Sequence, residues 1–213
     1  MRTWKQWMSL ALLAALCANA TPAWADNPRF EVTPFGGYRI GGSFDVEDDQ
    51  GFELSSADLD DDVSWGVDLA LYRDPRGFYE LLYSRQETQF DAAGSELDGV
   101  DITTEYFHFG GTLIFDYEPW LQPYLSLTLG LTRFDAEDFG SEWKFSGSLG
   151  LGWRLPVNDN LAVLVGVRGY GTVIESDTEF LCQTGNGRGT CLVRSDGDIL
   201  FQGEALMGVA FRF

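Results

Sequence analysis

Histidine occurs once in the 213 residues, at His108, and lysine and arginine together number 14 against 33 aspartates and glutamates. The shortage of base excludes nucleic acid as a partner, because a chain with formal net charge −19 repels a phosphate backbone. With only one histidine, a serine nucleophile lacks its usual base over most of the chain. Cysteine is scarce as well, at Cys17, Cys182 and Cys191. The last two have no further ligands around them, which argues against a metal site. Beyond the first residues no stretch approaches the roughly 18 uncharged apolar residues of a membrane-spanning helix. Disorder is excluded by what is abundant: aromatics make up 15% of the chain and strand periodicity runs throughout.

The start of the chain reads as an export leader. Arg2 and Lys5 form a basic segment, Met8–Ala18 is apolar, and Ala23-Trp24-Ala25 offers a small-x-small cleavage site before Asp26. Residues 1–25 are therefore assigned to a cleaved signal peptide and 26–213 to one domain. Leu16 before Cys17 does not suit a lipoprotein signal. In an exported chain the remaining pair, Cys182 and Cys191, is expected to form a disulfide closing a glycine-rich segment, adding about 2.5 kcal/mol.

The mature sequence alternates. In Ile199–Phe213 the odd positions Ile199, Phe201, Met207, Val209, Phe211 and Phe213 are apolar, while the even ones carry Gln202, Glu204 and Arg212. Period two means a strand. The same pattern recurs in Arg29–Asp45, where Pro34 suggests a kink or bulge, and in Val63–Arg73, Phe78–Phe90, Asp101–Phe115, Pro123–Asp135, Glu142–Leu155 and Leu161–Glu175. Eight strands follow. Their connections alternate between short turns, such as Asp74–Gly77, and longer polar segments, such as Val46–Asp62.

Which face is apolar decides the class. A soluble barrel hides its apolar face inside. Here the opposite face carries Arg39, Asp68, Glu80, Lys144, Arg154, Arg168, Glu204 and Arg212 among Gly, Ser and Thr. Charges of both signs suit a narrow polar lumen in which they pair, not a soluble core. His108 falls on the same face, as a hydrogen-bonded lumen residue. Tyr117, Trp120, Trp143 and Trp153, near strand ends, suit interfacial girdles. The expected fold is an all-β, eight-stranded antiparallel up-and-down transmembrane barrel.

Three features carry a resemblance: the ending Phe211-Arg212-Phe213, the entry Phe35-Gly36-Gly37-Tyr38, and the hairpin around PYLSLTLGLTRFD. With them the mature chain resembles the small eight-stranded Gram-negative outer-membrane barrels, the OmpA transmembrane domain, OmpX and OmpW group. The resemblance implies a monomer in the outer membrane, in contact with lipid and lipopolysaccharide. It also implies that Phe211 and Phe213 belong to the signal read by periplasmic chaperones and the barrel-assembly machinery. Some members of this size modify lipid A, but the histidine–x–serine pair of the deacylase type is not matched, because Gly110 follows His108 by two. No enzyme activity, cofactor or metal is expected. The OmpW-like members suggest an alternative, a narrow channel for small or hydrophobic molecules; lipid A modification is a second.

An eight-stranded barrel is just wide enough to be filled by side chains. Arg168 or Arg154 paired with Glu204 or Glu80 is expected to plug it. The acidic segment Val46–Asp62 has calcium-loop spacing at Asp58, Asp60 and Asp62, but Val63 and Leu69 stand where glycine and glutamate are required. It reads as a solvated acidic rim with a structural or interactive role. Arg85 and Arg133, near the outer strand ends, are placed to meet lipid phosphates.

Overall fold

The computed structural model describes residues 30–47, 53–91, 99–115, 118–136, 140–174, 180–185, 188–192 and 199–213. The leader segment and Tyr117 lie outside them. Numbered in chain order, the strands are β1 (Phe30–Ile40), β2 (Ser43–Glu47), β3 (Glu53–Leu59), β4 (Asp62–Asp74), β5 (Gly77–Asp91) and β6 (Asp101–Ile114). There follow β7 (Gln122–Ala136), β8 (Gly140–Asn158), β9 (Leu161–Val173), β10 (Phe180–Gly185), β11 (Arg188–Leu192) and β12 (Ile199–Arg212).

Eight of these close a ring in the order β1, β4, β5, β6, β7, β8, β9, β12, all antiparallel, and β12 returns to pair with β1. Alternation dictates the wall. On β7, Leu127 is 62% exposed while its neighbour Ser126 is 1% exposed. The same holds around the ring, with Leu81, Phe109, Leu129, Phe145, Val167 and Met207 outside. Thr112, Ser146, Thr172 and Glu204 are inside. The polar side is the buried side, the inverse of a soluble core.

The segment expected as one strand, Arg29–Asp45, is broken. Gly41 and Gly42 take φ of 82° and 112°, in the left-handed region that a side chain disfavours. The chain leaves the ring there and enters β2, which pairs with β3; β3 in turn pairs with the far end of β5 through Asp58↔Asp91 and Leu59↔Phe90. The wall thus extends beyond the ring on the loop side. Pro34 has no N–H to give. The β1–β12 ladder steps from Val32↔Phe211 to Phe35↔Gly208, passing Thr33 and Pro34 with the register kept, so the proline interrupts pairing without a bulge.

At the opposite end the connections are tight. Asp74 Oδ1 accepts the Arg76 N–H at 2.9 Å, and Asn158 Oδ1 accepts the Asn160 N–H at 2.9 Å. The last residue is tied down there as well: the Phe213 N–H donates to the Phe30 carbonyl at 2.9 Å, and Asn160 Nδ2 to the Arg212 carbonyl at 3.0 Å.

Candidate functional site

The lumen holds the chemistry, in three tiers stacked between the turn end and the loop end. Each tier is placed by cross-strand register. Glu31 on β1 lies opposite Arg212 on β12, and Arg39 opposite Glu204. Eight residues along β1 separate the two pairs, so they sit at opposite ends of the lumen.

The tier at the turn end is built on Glu31. Arg154 grips its carboxylate with two bonds, Nη1 to Oε1 at 2.8 Å and Nη2 to Oε2 at 2.6 Å. Arg212 Nε and the Tyr72 hydroxyl add bonds to Oε2 at 2.8 and 2.9 Å. The Arg154 guanidinium also lies 5.7 Å from the Phe78 ring centroid. Such paired, fork-to-fork geometry is what makes a fully buried ion pair tolerable.

In the middle tier Arg168 crosses the lumen from β9 to the opposite wall. Its Nη2 stands 3.5 Å from Asp68 and 3.7 Å from Glu80. Glu80 is held by the Ser126 hydroxyl at 2.5 Å and by the Thr112 hydroxyl. Gly150 lies beside Arg168 in register, and a Cβ there would stand 3.2 Å from Arg168 Nε. The missing side chain gives the arginine stem its path.

At the loop-end tier Arg39 Nη2 donates to Glu204 Oε1 at 2.8 Å and to the Ser84 hydroxyl. The Ser64 hydroxyl reaches Glu204 Oε1 at 2.6 Å and the Tyr170 hydroxyl reaches Oε2 at 2.8 Å. The guanidinium is also within 4.9 and 4.8 Å of the Tyr106 and Tyr170 ring centroids, and those rings stack 4.1 Å apart. Cation–π contact and a desolvated ion pair reinforce each other here. Beside them, His108 Nε2 lies 2.8 Å from the Ser146 hydroxyl and Nδ1 3.0 Å from the Thr128 hydroxyl. Its partners are buried hydroxyls, an arrangement that fixes the ring.

All eight charged residues expected in the lumen point inward, but they form separate clusters instead of one network. Arg168 does meet Glu80. Arg154 meets neither Glu80 nor Glu204; its partner is Glu31, across the lumen floor, because Glu204 lies near the loop end and is taken by Arg39. Lys144 stands apart, 3.2 Å from Glu142. Glu31 lies on the polar face of the first strand by sequence but is not among the eight charges expected in the lumen. Its signal was present, in the alternation that sets Glu31 opposite Phe30 and Val32. The lumen is also less polar than expected: Phe35, Leu82, Tyr106, Tyr170 and Leu206 pack together inside it.

The three tiers hold four cations, Arg39, Arg154, Arg168 and Arg212, and four anions, Glu31, Asp68, Glu80 and Glu204. Within the three tiers the formal charges therefore balance, four against four. A cavity of about 20 Å³ remains between the lower two tiers, lined by Glu31, Asp68, Glu80, Arg154 and Arg168 among others, which is room for a single water. At the loop end, Asp60, Asp62, Glu87 and Asp101 line an open cleft of about 480 Å³. Among the described residues no three His, Cys, Asp or Glu side chains are grouped to hold a metal ion. Cys182 and Cys191 fall on the antiparallel pair β10 and β11, with their side chains outside the described residues. Phe211 and Phe213 end the ring at the turn side, Phe213 exposed.

A family model described as "Outer membrane protein beta-barrel domain" matches residues 8–213. Among solved structures, the chain is similar to Neisserial surface protein A at 18% identity, covering 86% of this chain and 97% of that one with a TM-score of 0.55. It is similar to the outer membrane protein OprG of Pseudomonas aeruginosa at 16% identity, covering 87% and 96%, with a TM-score of 0.55. It also resembles the outer membrane protein AlkL at 15% identity, covering 92% and 96%, with a TM-score of 0.52. At these identities the likeness is one of fold. No curated protein matches the chain in sequence.

Proposed function

The chain belongs to the outer membrane protein beta-barrel domain family, and from that premise we propose that it is a plugged anchor whose acidic loops face the cell exterior. The observation that carries this reading is the filled cross-section of the ring. Each tier holds a buried arginine–carboxylate pair, and between the lower two tiers a cavity of about 20 Å³ remains. A hydrated ion does not pass such a stack unless a buried pair is broken, and breaking one by removing a partner costs about 3–5 kcal/mol.

In this reading the leader is cleaved before Asp26, and periplasmic chaperones and the assembly machinery deliver the barrel as a monomer. The outward apolar belt is solvated by lipid and lipopolysaccharide. The carboxylates at the loop end then act by presentation, as an anionic surface for external partners, and not by chemistry. With His108 held between the Thr128 and Ser146 hydroxyls, we read the role as structural or interactive and not enzymatic.

Single-channel recording in planar bilayers tests the plug. The purified barrel is expected to show no steady conductance, and a stable unitary current would overturn the reading in favour of a conduit. Lipid A extracted from cells with and without the protein is expected to carry identical acyl chains by mass spectrometry; an added or missing chain would point to an enzyme.

A further inference from the structure

On the outward face of β5, β6 and β7 the positions Tyr79-Leu81-Tyr83, Phe107-Phe109 and Leu125-Leu127-Leu129-Leu131 are uncharged. At one level this stops. Cross-strand register aligns Trp65, Arg85, Glu105, Arg133 and Trp143 in a single row across β4 to β8. The row below is Val67, Tyr83, Phe107, Leu131 and Phe145, wholly without charge. Glu87, Thr103, Asp135 and Ser141 follow above. The row therefore marks the upper edge of the apolar belt, where hydrocarbon gives way to headgroups.

The side chains in it are organised. Glu105 is almost fully buried between the two arginines: Arg85 Nη1 reaches Oε1 at 3.3 Å and Arg133 Nη1 reaches Oε2 at 3.1 Å. The Tyr83 hydroxyl supports Oε1 from below at 2.7 Å. On the flanks Arg85 meets Glu87 and Arg133 meets Asp135, both carboxylates exposed. Trp65 and Trp143, at the two ends of the row, join Tyr83 and Phe107 below it in an aromatic shelf: Trp65 to Tyr83 at 5.7 Å, Tyr83 to Phe107 at 5.0 Å and Phe107 to Trp143 at 5.5 Å between ring centroids.

We infer that this row is a binding site for the phosphate of an outer-leaflet lipid, namely a lipid A phosphate. Glu105 fixes two guanidiniums on alternate strands, about 10 Å apart at the backbone given the strand spacing. The flanking pairs are the exchangeable ones. Glu87 is 72% exposed on its side chain, and such surface pairs are weak. In its bonds to described residues Arg133 uses two of its five N–H donors, leaving the others at the edge of an apolar phase. A phosphate oxygen offers the stronger, charge-assisted acceptor there. The aromatic shelf receives the upper acyl and sugar portions of the same lipid.

The inference rests on the membrane placement and not on the closed lumen. A conducting barrel that discriminates phosphorylated lipid would sink the plug and leave this site standing. The test uses the full folded chain in a phosphate-free non-ionic detergent, titrated with lipid A and with phosphatase-treated lipid A and followed by tryptophan fluorescence. Dephosphorylation and the double variant R85Q/R133Q are each expected to weaken binding tenfold, while R73Q at the turn end leaves it unchanged. A loss of at least fivefold in both comparisons supports the site, and a smaller loss in either overturns it. The comparison of lipids on the unaltered chain stands even if the double variant fails to fold. Inorganic phosphate is expected not to compete at equal concentration; full displacement by it would overturn the lipid assignment.

Discussion

Replacing Glu31 by Gln tests whether the lumen is held by ion pairs or merely filled. The carboxylate accepts five bonds: Arg154 and Thr33 at Oε1, and Arg154, Arg212 and Tyr72 at Oε2. Glutamine keeps the volume but turns one oxygen into a donor, which then faces donors whichever way the amide is oriented. At least two bonds are lost, and Arg154 is left buried without a counter-charge. Bonds to charged groups contribute about 1.5–3 kcal/mol each, and orphaning one partner of a buried pair costs about 3–5 kcal/mol. The variant is therefore expected to lose about 3–5 kcal/mol, more than two powers of ten in the folding constant. The measurement is the folded fraction in a urea series, read from the mobility difference between folded and heat-denatured barrel on a gel. The cycle is completed by Arg154→Leu and by Glu31→Gln/Arg154→Leu. The double replacement removes both charges and is expected to cost less than the sum of the singles. A loss below about 1 kcal/mol for Glu31→Gln, or strict additivity, would refute the ionic account.

Four further outcomes are expected. Leu129→Arg places a charge in the middle of the outward apolar belt and should destabilise the barrel by about 2–4 kcal/mol in bilayer refolding, far more than the same change at Trp120 near the turn end. Gly166→Ala would set a methyl 2.6 Å from the Leu151 carbonyl and against the Tyr124 hydroxyl, so a loss of about 1–3 kcal/mol by the same gel assay is expected. Phe213→Asp should lower the level of protein in the outer-membrane fraction, and an unchanged level would count against a role for the final aromatic in assembly. Cys182 and Cys191 should resist maleimide until a reductant is added; immediate labelling would exclude the disulfide.

Periodicity made the ring legible because each barrel strand has one greasy and one polar side, and a slip of one residue would invert every position. That is why the inward set from Arg39 to Arg212 could be read directly. Pairing inside the lumen could not. Partners such as Glu31 and Arg154 are 123 residues apart, and which cation meets which anion depends on the shear of the ring and on gaps such as Gly150. The aromatic filling was hidden for another reason. Phe35 and Leu82 look like outward residues by type, and only the phase of their strands, which continues through Pro34 on β1, turns them inward. The outer ionic row was half visible in Arg85 and Arg133, but Glu105, which fixes them, sits among alternating residues that gave no hint of cross-strand alignment.

The bond between Phe213 and Phe30 has a topological corollary. With Phe30 and Phe213 side by side on the turn face, the order in which the strands are synthesised is separable from the order in which they pair. A short linker joining those two residues, with a new opening cut in a loop, would give a circular permutant whose hydrogen-bonded circuit is unaltered. An open sheet, with two free edges, permits no such renumbering.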